Sequence, residues 1–154
     1  MLSKKAQYAL YALVHLARER DKGPVLIRDI AESEKLPRKF LEAILLELKT
    51  LGILASKKGK GGGYQLRRAP GEVNMAEIIR HFDGAIALLP CATFMYYEQC
   101  QHCKDEKTCG IKSYVKEIRD ETVRLMKNIT LQDILEREKQ LESEQPPGTV
   151  TSAF

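Results

Sequence analysis

The 154 residues predict a mostly α-helical chain with one small β hairpin. Three observations carry this. Apolar residues recur at three- and four-residue intervals through most of the chain, the one-sided stripe of amphipathic helices. One glycine-rich run, Gly59 to Gly63 with Lys60 inside it, separates two short strand-like stretches and suits a tight turn. Late in the chain Ile111, Val115, Ile118, Thr122, Leu125 and Ile129 follow a 4-3-4-3-4 spacing, which is coiled-coil-like.

Leu2 to Arg20 is expected to form the first helix. Its apolar face is Leu2, Ala6, Ala9, Leu10, Leu13, Val14, Leu16 and Ala17, with alanines for close packing. His15 lies among them and reads as a boundary histidine rather than a ligand. Asp21 to Pro24 is a turn, and Val25 is expected to pair loosely with the hairpin. A short apolar-periodic segment runs from Leu26 to Ala31, and Ser33 to Leu36 is a polar turn. Pro37 fits the first turn of the next helix, where its missing N–H costs nothing. That helix carries the stripe Phe40, Leu41, Ile44, Leu45, Leu48 and Leu51, and Gly52 can stop it. Two short helices so joined predict a helix-turn-helix.

Ile53 to Ser56 reads as a strand, Lys57 to Gly63 as the tip, and Tyr64 to Leu66 as the return strand, ended by Arg67 and Arg68. A hairpin in that place is a wing. The glycine run is not a nucleotide phosphate loop: it lacks GxxxxGK[ST] and leads into a strand. Asn74 is a plausible cap for a helix over Met75 to Phe82, with Glu77 approximating a capping box. Ala85 to Leu89 is apolar and either extends this helix or docks on the core. Cys91 to Cys109 is a cysteine-bearing loop. The one-sided helix from Ile111 is the dimerisation candidate, with packing on the first helix as its second expected contact. Thr130 caps a last short helix through Leu135. From Glu136 the apolar pattern is lost and the chain reads as disordered. The organisation expected is therefore a winged helix-turn-helix over residues 1–84, an effector loop over 85–110, a dimerisation helix and closing helix over 111–136, and a disordered tail over 137–154.

The formal charge of +4 is unevenly placed. Residues 1–70 hold 15 Lys/Arg against 7 Asp/Glu, and residues 71–154 hold 10 against 14. The basic half is the half with the wing, as a polyanion partner requires. A helix entering the major groove end first presents its early residues to base edges. Arg38, Lys39 and Glu42 are the candidates for base readout. Lys57, Lys58, Lys60, Tyr64, Arg67 and Arg68 are the candidates for the wing side, the cations meeting phosphates. Two copies are needed to read a symmetric site, so double-stranded DNA with a near-palindromic operator and a homodimer are expected. An acidic protein docked on the same basic face is the alternative.

Cys91, Cys100, Cys103 and Cys109 are separated by eight, two and five residues. Four thiolates can hold an iron–sulfur cluster or a tetrahedral zinc, and His102 can replace one of them. A metal-free thiol sensor stays open beside these. The spacing and the absence of a secretory apolar segment favour a reduced, cytoplasmic setting over a disulfide framework. No apolar stretch is long enough to span a membrane. No HExxH or serine-centred arrangement points to an enzyme. Turnover at the Cys100–Cys103 pair would want a helix start beside a strand, which the sequence does not offer.

The opening MLSKKAQYAL, then GPVLIRDIAE, LPRKFLEAILLELKTLGIL and above all SKKGKGGGYQL resemble the Rrf-two family of bacterial winged-helix transcription regulators, with LQDIL similar to its closing helix. The resemblance covers residues 1 to about 136 and includes the IscR, NsrR and CymR types. It implies a homodimer, with Pro37 to Ala43 as the reading edge and the wing toward the minor groove. Glu42 resembles a base-contacting glutamate of the IscR type. Lys58 stands where that type has a wing arginine, and Ala43 where it has a glutamine. Sensing members hold a [2Fe–2S] or [4Fe–4S] cluster on three cysteines, the last two spaced as Cys103 and Cys109 are. Their first would fall near Tyr97, so Cys100 or Cys91 must supply it here. Lys112 and Gln7 occupy the positions that resemble the IscR-type histidine and NsrR-type aspartate ligands, which leaves a four-cysteine site. The function expected is a DNA-binding regulator, a repressor, sensing iron–sulfur status, redox state or nitric oxide.

Overall fold

The computed structural model describes residues 1–144. Helix α1 spans Lys4–Arg18, α2 Ile27–Ser33 and α3 Arg38–Thr50. Strands β1 (Leu54–Lys57) and β2 (Gly63–Leu66) form the hairpin, followed by α4 (Met75–Asp83), α5 (Gly110–Asn128) and α6 (Leu131–Glu144). The fold is mostly α-helical with a two-stranded wing and a long C-terminal helix, as the sequence predicts.

The core is built on α1. Ala6, Ala9 and Ala12 are fully buried, which lets neighbouring backbones close on this helix. Leu13 and Leu16 meet Ile30 of α2 and Leu41, Ile44, Leu45 and Leu48 of α3 in one apolar cluster. Ile53, Leu54, Val73, Ile78 and Leu131 complete it. Ser3 caps α1, its hydroxyl accepting from Ala6 N–H at 3.1 Å. Asn74 Oδ1 accepts from Glu77 N–H at 3.0 Å and starts α4.

Helix α3 ends as Gly52 allows. At φ +73° Gly52 gives its N–H to Lys49 C=O, and Ile53 N–H reaches Leu48 C=O. This is the paired-bond stop that a left-handed glycine makes possible. The antiparallel register pairs Leu54 with Leu66 and Lys57 with Gly63. Val25 joins the hairpin through Tyr64, each N–H donating to the other's carbonyl at 2.8 Å.

Four expectations need correction. Phe40 and Leu51 belong to the exposed surface, not the core stripe; Phe40 is 62 % exposed. Its position is a helical step off Leu41, which puts it on the flank. Helix α5 packs on α4 and the turn Pro90–Ala92, while α6 is the helix that lies along α1. Residues Ala85 to Leu89 neither extend α4 nor enter the core: Gly84 caps the helix, and none of the five is buried. The closing helix also runs on to Glu144. Glu, Lys and Gln are good helix formers without an apolar pattern, and Glu138 is held bidentately by Arg18 of α1 at 2.8 and 3.1 Å. Of the tail expected to be disordered, residues 145–154 lie outside the described residues.

Candidate nucleic-acid interface and cysteine loop

A cleft of about 540 Å³ opens between α2, α3 and the hairpin. Its walls include Arg28, Arg38, Lys49, Lys57 and Lys58, with Ser56, Gly63 and Tyr64, and no acidic side chain lines it. Two of these cations come from β1 and the tip, two from α3 and one from α2. The fold therefore gathers five positive charges from three elements separated in sequence. Asp29 pairs with Arg28 at 3.4 Å and Glu42 with Arg38 at 3.2 Å beside it, and the remaining excess of positive charge attracts a polyanion.

The hairpin is held in place by its glycines. A Cβ on Gly62 would stand 2.4 Å from Lys57 O, and one on Gly63 would stand 2.3 Å from Val25 O. Only glycine fits where the tip folds under itself and where β2 passes Val25. Leu54 and Leu66 anchor the hairpin base in the core. Lys60 and Arg67 are exposed at its far end and at its exit.

The sequence candidates separate into groups. Arg38, Lys57, Lys58 and Tyr64 share the cleft. Lys39 and Glu42 are exposed on α3 beside it. Arg38 Nε donates to Glu42 Oε1 at 3.2 Å, so the two are already oriented by each other one helical turn apart. Arg68 is turned the other way: it pairs with Glu77 at 2.7 Å and donates to Glu72 C=O, tying the hairpin to α4. Among the described residues Lys39, Lys57, Lys58, Lys60 and Arg67 are in no ion pair. Arg28 and Lys49 complete the cleft. Lys49 is legible as a charge on the outer face of α3. Arg28 is not, because only the packing of α2 brings it to the hairpin.

Elsewhere two carboxylates tie the helices together. Glu34, at the end of α2, accepts from His15 Nδ1 at 2.8 Å and Arg18 at 3.0 Å. Glu47 of α3 meets Lys5 at 2.5 Å and His81 at 3.2 Å. The Lys5 ammonium first, then His81, hold its carboxyl below the ordinary value.

In the loop, Cys109 caps α5. Lys112 N–H donates to its sulfur at 3.4 Å. That amide, then the Cys103 thiol, draw the Cys109 thiol below its ordinary value, since both favour the thiolate. Loss of hydration and then the Cys109 sulfur push Cys103 up. Cys103 N–H also meets Cys100 C=O at 3.3 Å. Cys91 is buried in the turn Pro90–Ala92, within reach of Lys112 and Tyr97. Lys112 is buried, paired with Glu106 at 2.5 Å and 5.3 Å from the Tyr97 ring centre. The Tyr97 hydroxyl donates to the same Glu106. Among the described residues no three His, Cys, Asp or Glu side chains gather closely enough to hold one metal ion. The four thiols are thus not a preformed site for a single ion.

Helix α5 leaves Ile111, Tyr114, Ile118 and Leu125 exposed along its length. Arg119, on its other side, is buried, donates to Ala92 C=O and stacks 4.1 Å from the Phe94 ring centre. No helix among the described residues is long and apolar enough to cross a membrane.

The model of the Rrf2 family, described as iron-dependent transcriptional regulators, matches residues 2–137. An rrf2-like HTH-type transcriptional regulator of Rhodobacter capsulatus is 41 % identical over 138 residues, covering 88 % of this chain and 92 % of that one. The HTH-type regulator NsrR of Bacillus licheniformis is 30 % identical, covering 87 % and 91 %. Among solved structures, CymR, the global cysteine regulator of B. subtilis, superposes with a TM-score of 0.71 at 25 % identity, covering 95 % and 98 %. IscR of T. potens gives 0.73 at 26 % identity, covering 96 % and 93 %.

Proposed function

The chain belongs to the Rrf2 family of winged-helix regulators, and from that premise we propose that it is a sequence-specific repressor that grips a near-palindromic operator as a homodimer. That it is a DNA-binding transcriptional regulator rather than an enzyme follows from the family. The observation that carries the finer reading is the cleft with five cations and no carboxylate between α3 and the hairpin. Arg38, Lys39 and Glu42 face base edges. Lys57, Lys58, Lys60 and Arg67 face phosphates, with Arg28 and Lys49 beside them. Arg68 serves by fixing the hairpin to α4. The exposed apolar line of α5 supplies the pairing surface.

Duplexes selected from a random pool by the purified protein test this. They should share one half-site repeated with two-fold symmetry. If the dimer neutralises about eight phosphates, log affinity should fall against log salt with a slope of about −7. No selected sequence, or a flat salt dependence, refutes the reading. Tight capture of an acidic protein with no duplex preference would favour the alternative.

The cysteine loop is the effector end in this proposal. An iron–sulfur cluster is the group the resemblance suggests, with zinc second. As placed, the donors do not converge on a single ion; Cys103 and Cys109 already share a hydrogen bond, and a bound group would add Cys100 or Cys91 to that pair. Iron, labile sulfide and zinc counted on anaerobically purified protein, with an absorption spectrum, test the loading. Equal operator affinity for loaded and stripped protein would remove the sensing role.

A further inference from the structure

Helix α3 turns Leu41, Ile44, Leu45 and Leu48 to the core, all fully buried. On its outer side Lys39, Glu42, Ala43 and Leu46 fall within one arc of about 100°, and all four are exposed. Two of them are charged. The other two carry no group that can make a hydrogen bond. Leu46 is 58 % exposed. Helical side chains lean toward the N-terminus, so its isobutyl group covers the surface over Glu42 and Ala43. Ala43 and Leu46 thus form one continuous apolar strip at the front of the helix.

A lone exposed leucine needs no explanation. This one is exposed on α3, the helix whose Arg38 and Lys49 line the cleft with Arg28, Lys57 and Lys58, with Lys39 about two turns toward the helix start. The charges select a polyanion, and a strip without donors or acceptors must then meet an apolar group on it. In the major groove one base edge offers such a group, the C5-methyl of thymine.

The geometry points to Ala43 and Leu46 as specificity-determining residues that select thymine in each half-site by covering its C5-methyl. The inference rests on the DNA-binding reading above and goes beyond it to the base chosen. Glu42, oriented by Arg38, accepts from an amino group of a neighbouring cytosine. The half-site therefore contains thymine next to or near a cytosine, on the strands that face α3.

The test uses duplexes selected from a random pool, remade with deoxyuridine for thymine at one position at a time. Deoxyuridine keeps the pairing and every hydrogen-bonding edge and lacks only the methyl. Full-length protein should lose affinity about fourfold for each methyl it covers, at one or two positions per half-site. Leu46→Gln should erase most of that loss, leaving helix content and salt slope unchanged. Ala43→Ser should erase the remainder. The inference is overturned if deoxyuridine is neutral everywhere while the protein still selects a sequence. It is equally overturned if Leu46→Gln and Ala43→Ser keep the full penalty. A protein that selects no duplex even at low salt overturns the DNA-binding reading itself, a result distinct from both.

Discussion

Gly63 opens β2 at φ +142°, a backbone conformation that side chains rarely adopt. A methyl at this position would stand 2.3 Å from the Val25 carbonyl oxygen and 2.5 Å from its carbon. Both are backbone atoms and cannot swing aside. They are fixed by the reciprocal Val25–Tyr64 hydrogen bonds at 2.8 Å. Gly63→Ala must therefore open that bridge. Two lost backbone bonds remove about 1 kcal/mol each, and backbone strain adds about 1–2, so the variant should lose about 3–4 kcal/mol. Gly61→Ala is the matched control: φ is +71°, but the added methyl meets nothing within 4 Å. It should lose about 1 kcal/mol. Urea unfolding gives both numbers, and amide exchange at Val25 and Tyr64 locates the damage. Affinity for selected duplexes should fall for Gly63→Ala, because Lys57 and Lys58 then leave the cleft wall. Equal stability of the two variants, with Val25 and Tyr64 amides still protected, would refute the reasoning.

Three further outcomes are expected. Glu47 is held below the ordinary value of 4.5 by Lys5 and then His81. Its contribution is therefore present above that value and is lost as pH falls through the lower, folded one. Wild type should lose more stability than Glu47→Gln on acidification below 4.5, and parallel curves would dismiss the idea. Ile118→Asp places a charge in the exposed line of α5, so on the homodimer proposed above sedimentation should find a dimer for wild type and a monomer for the variant; an unchanged dimer moves the pairing surface elsewhere. In metal-free protein at neutral pH, iodoacetamide should modify Cys109 first, because its lowered thiol is more ionised, and the buried Cys91 last. Mass spectrometry of the partly modified protein reads the order, and Cys91 reacting ahead of Cys109 contradicts it.

Local chemistry was readable in the sequence wherever one residue type decides the conformation. Gly52 stops α3, Asn74 starts α4, and the glycines of the tip permit the hairpin, each for a reason confined to a few atoms. Stripe edges were less readable. Phe40 is as apolar as Leu41, but one helical step decides which of them meets the core. The apolar line of α5 announces a face without announcing its partner: the line stays exposed, while the helix itself packs on α4. Side-chain direction was out of reach too. Arg67 and Arg68 are adjacent and alike, yet only Arg68 finds Glu77. Arg28 enters the cleft through the packing of α2 alone. The thiols were visible as a spacing, and a spacing along a loop does not say whether sulfurs converge.

Both ends of the segment between α4 and α6 are moored to the same helix. It departs from α4 at Gly84, and it returns where Met75 N–H meets Ile129 C=O at 2.8 Å and Leu131 N–H meets Val73 C=O at 3.0 Å. The forty-odd residues between form a closed excursion hung from a single mast. Such a module can be lengthened, shortened or refitted with other thiols without shifting α1 to α3, because its two attachment points do not move. The same suspension gives its mechanical output two routes into the helix-turn-helix half: through α4, and through α6, which follows α5 directly and lies along α1.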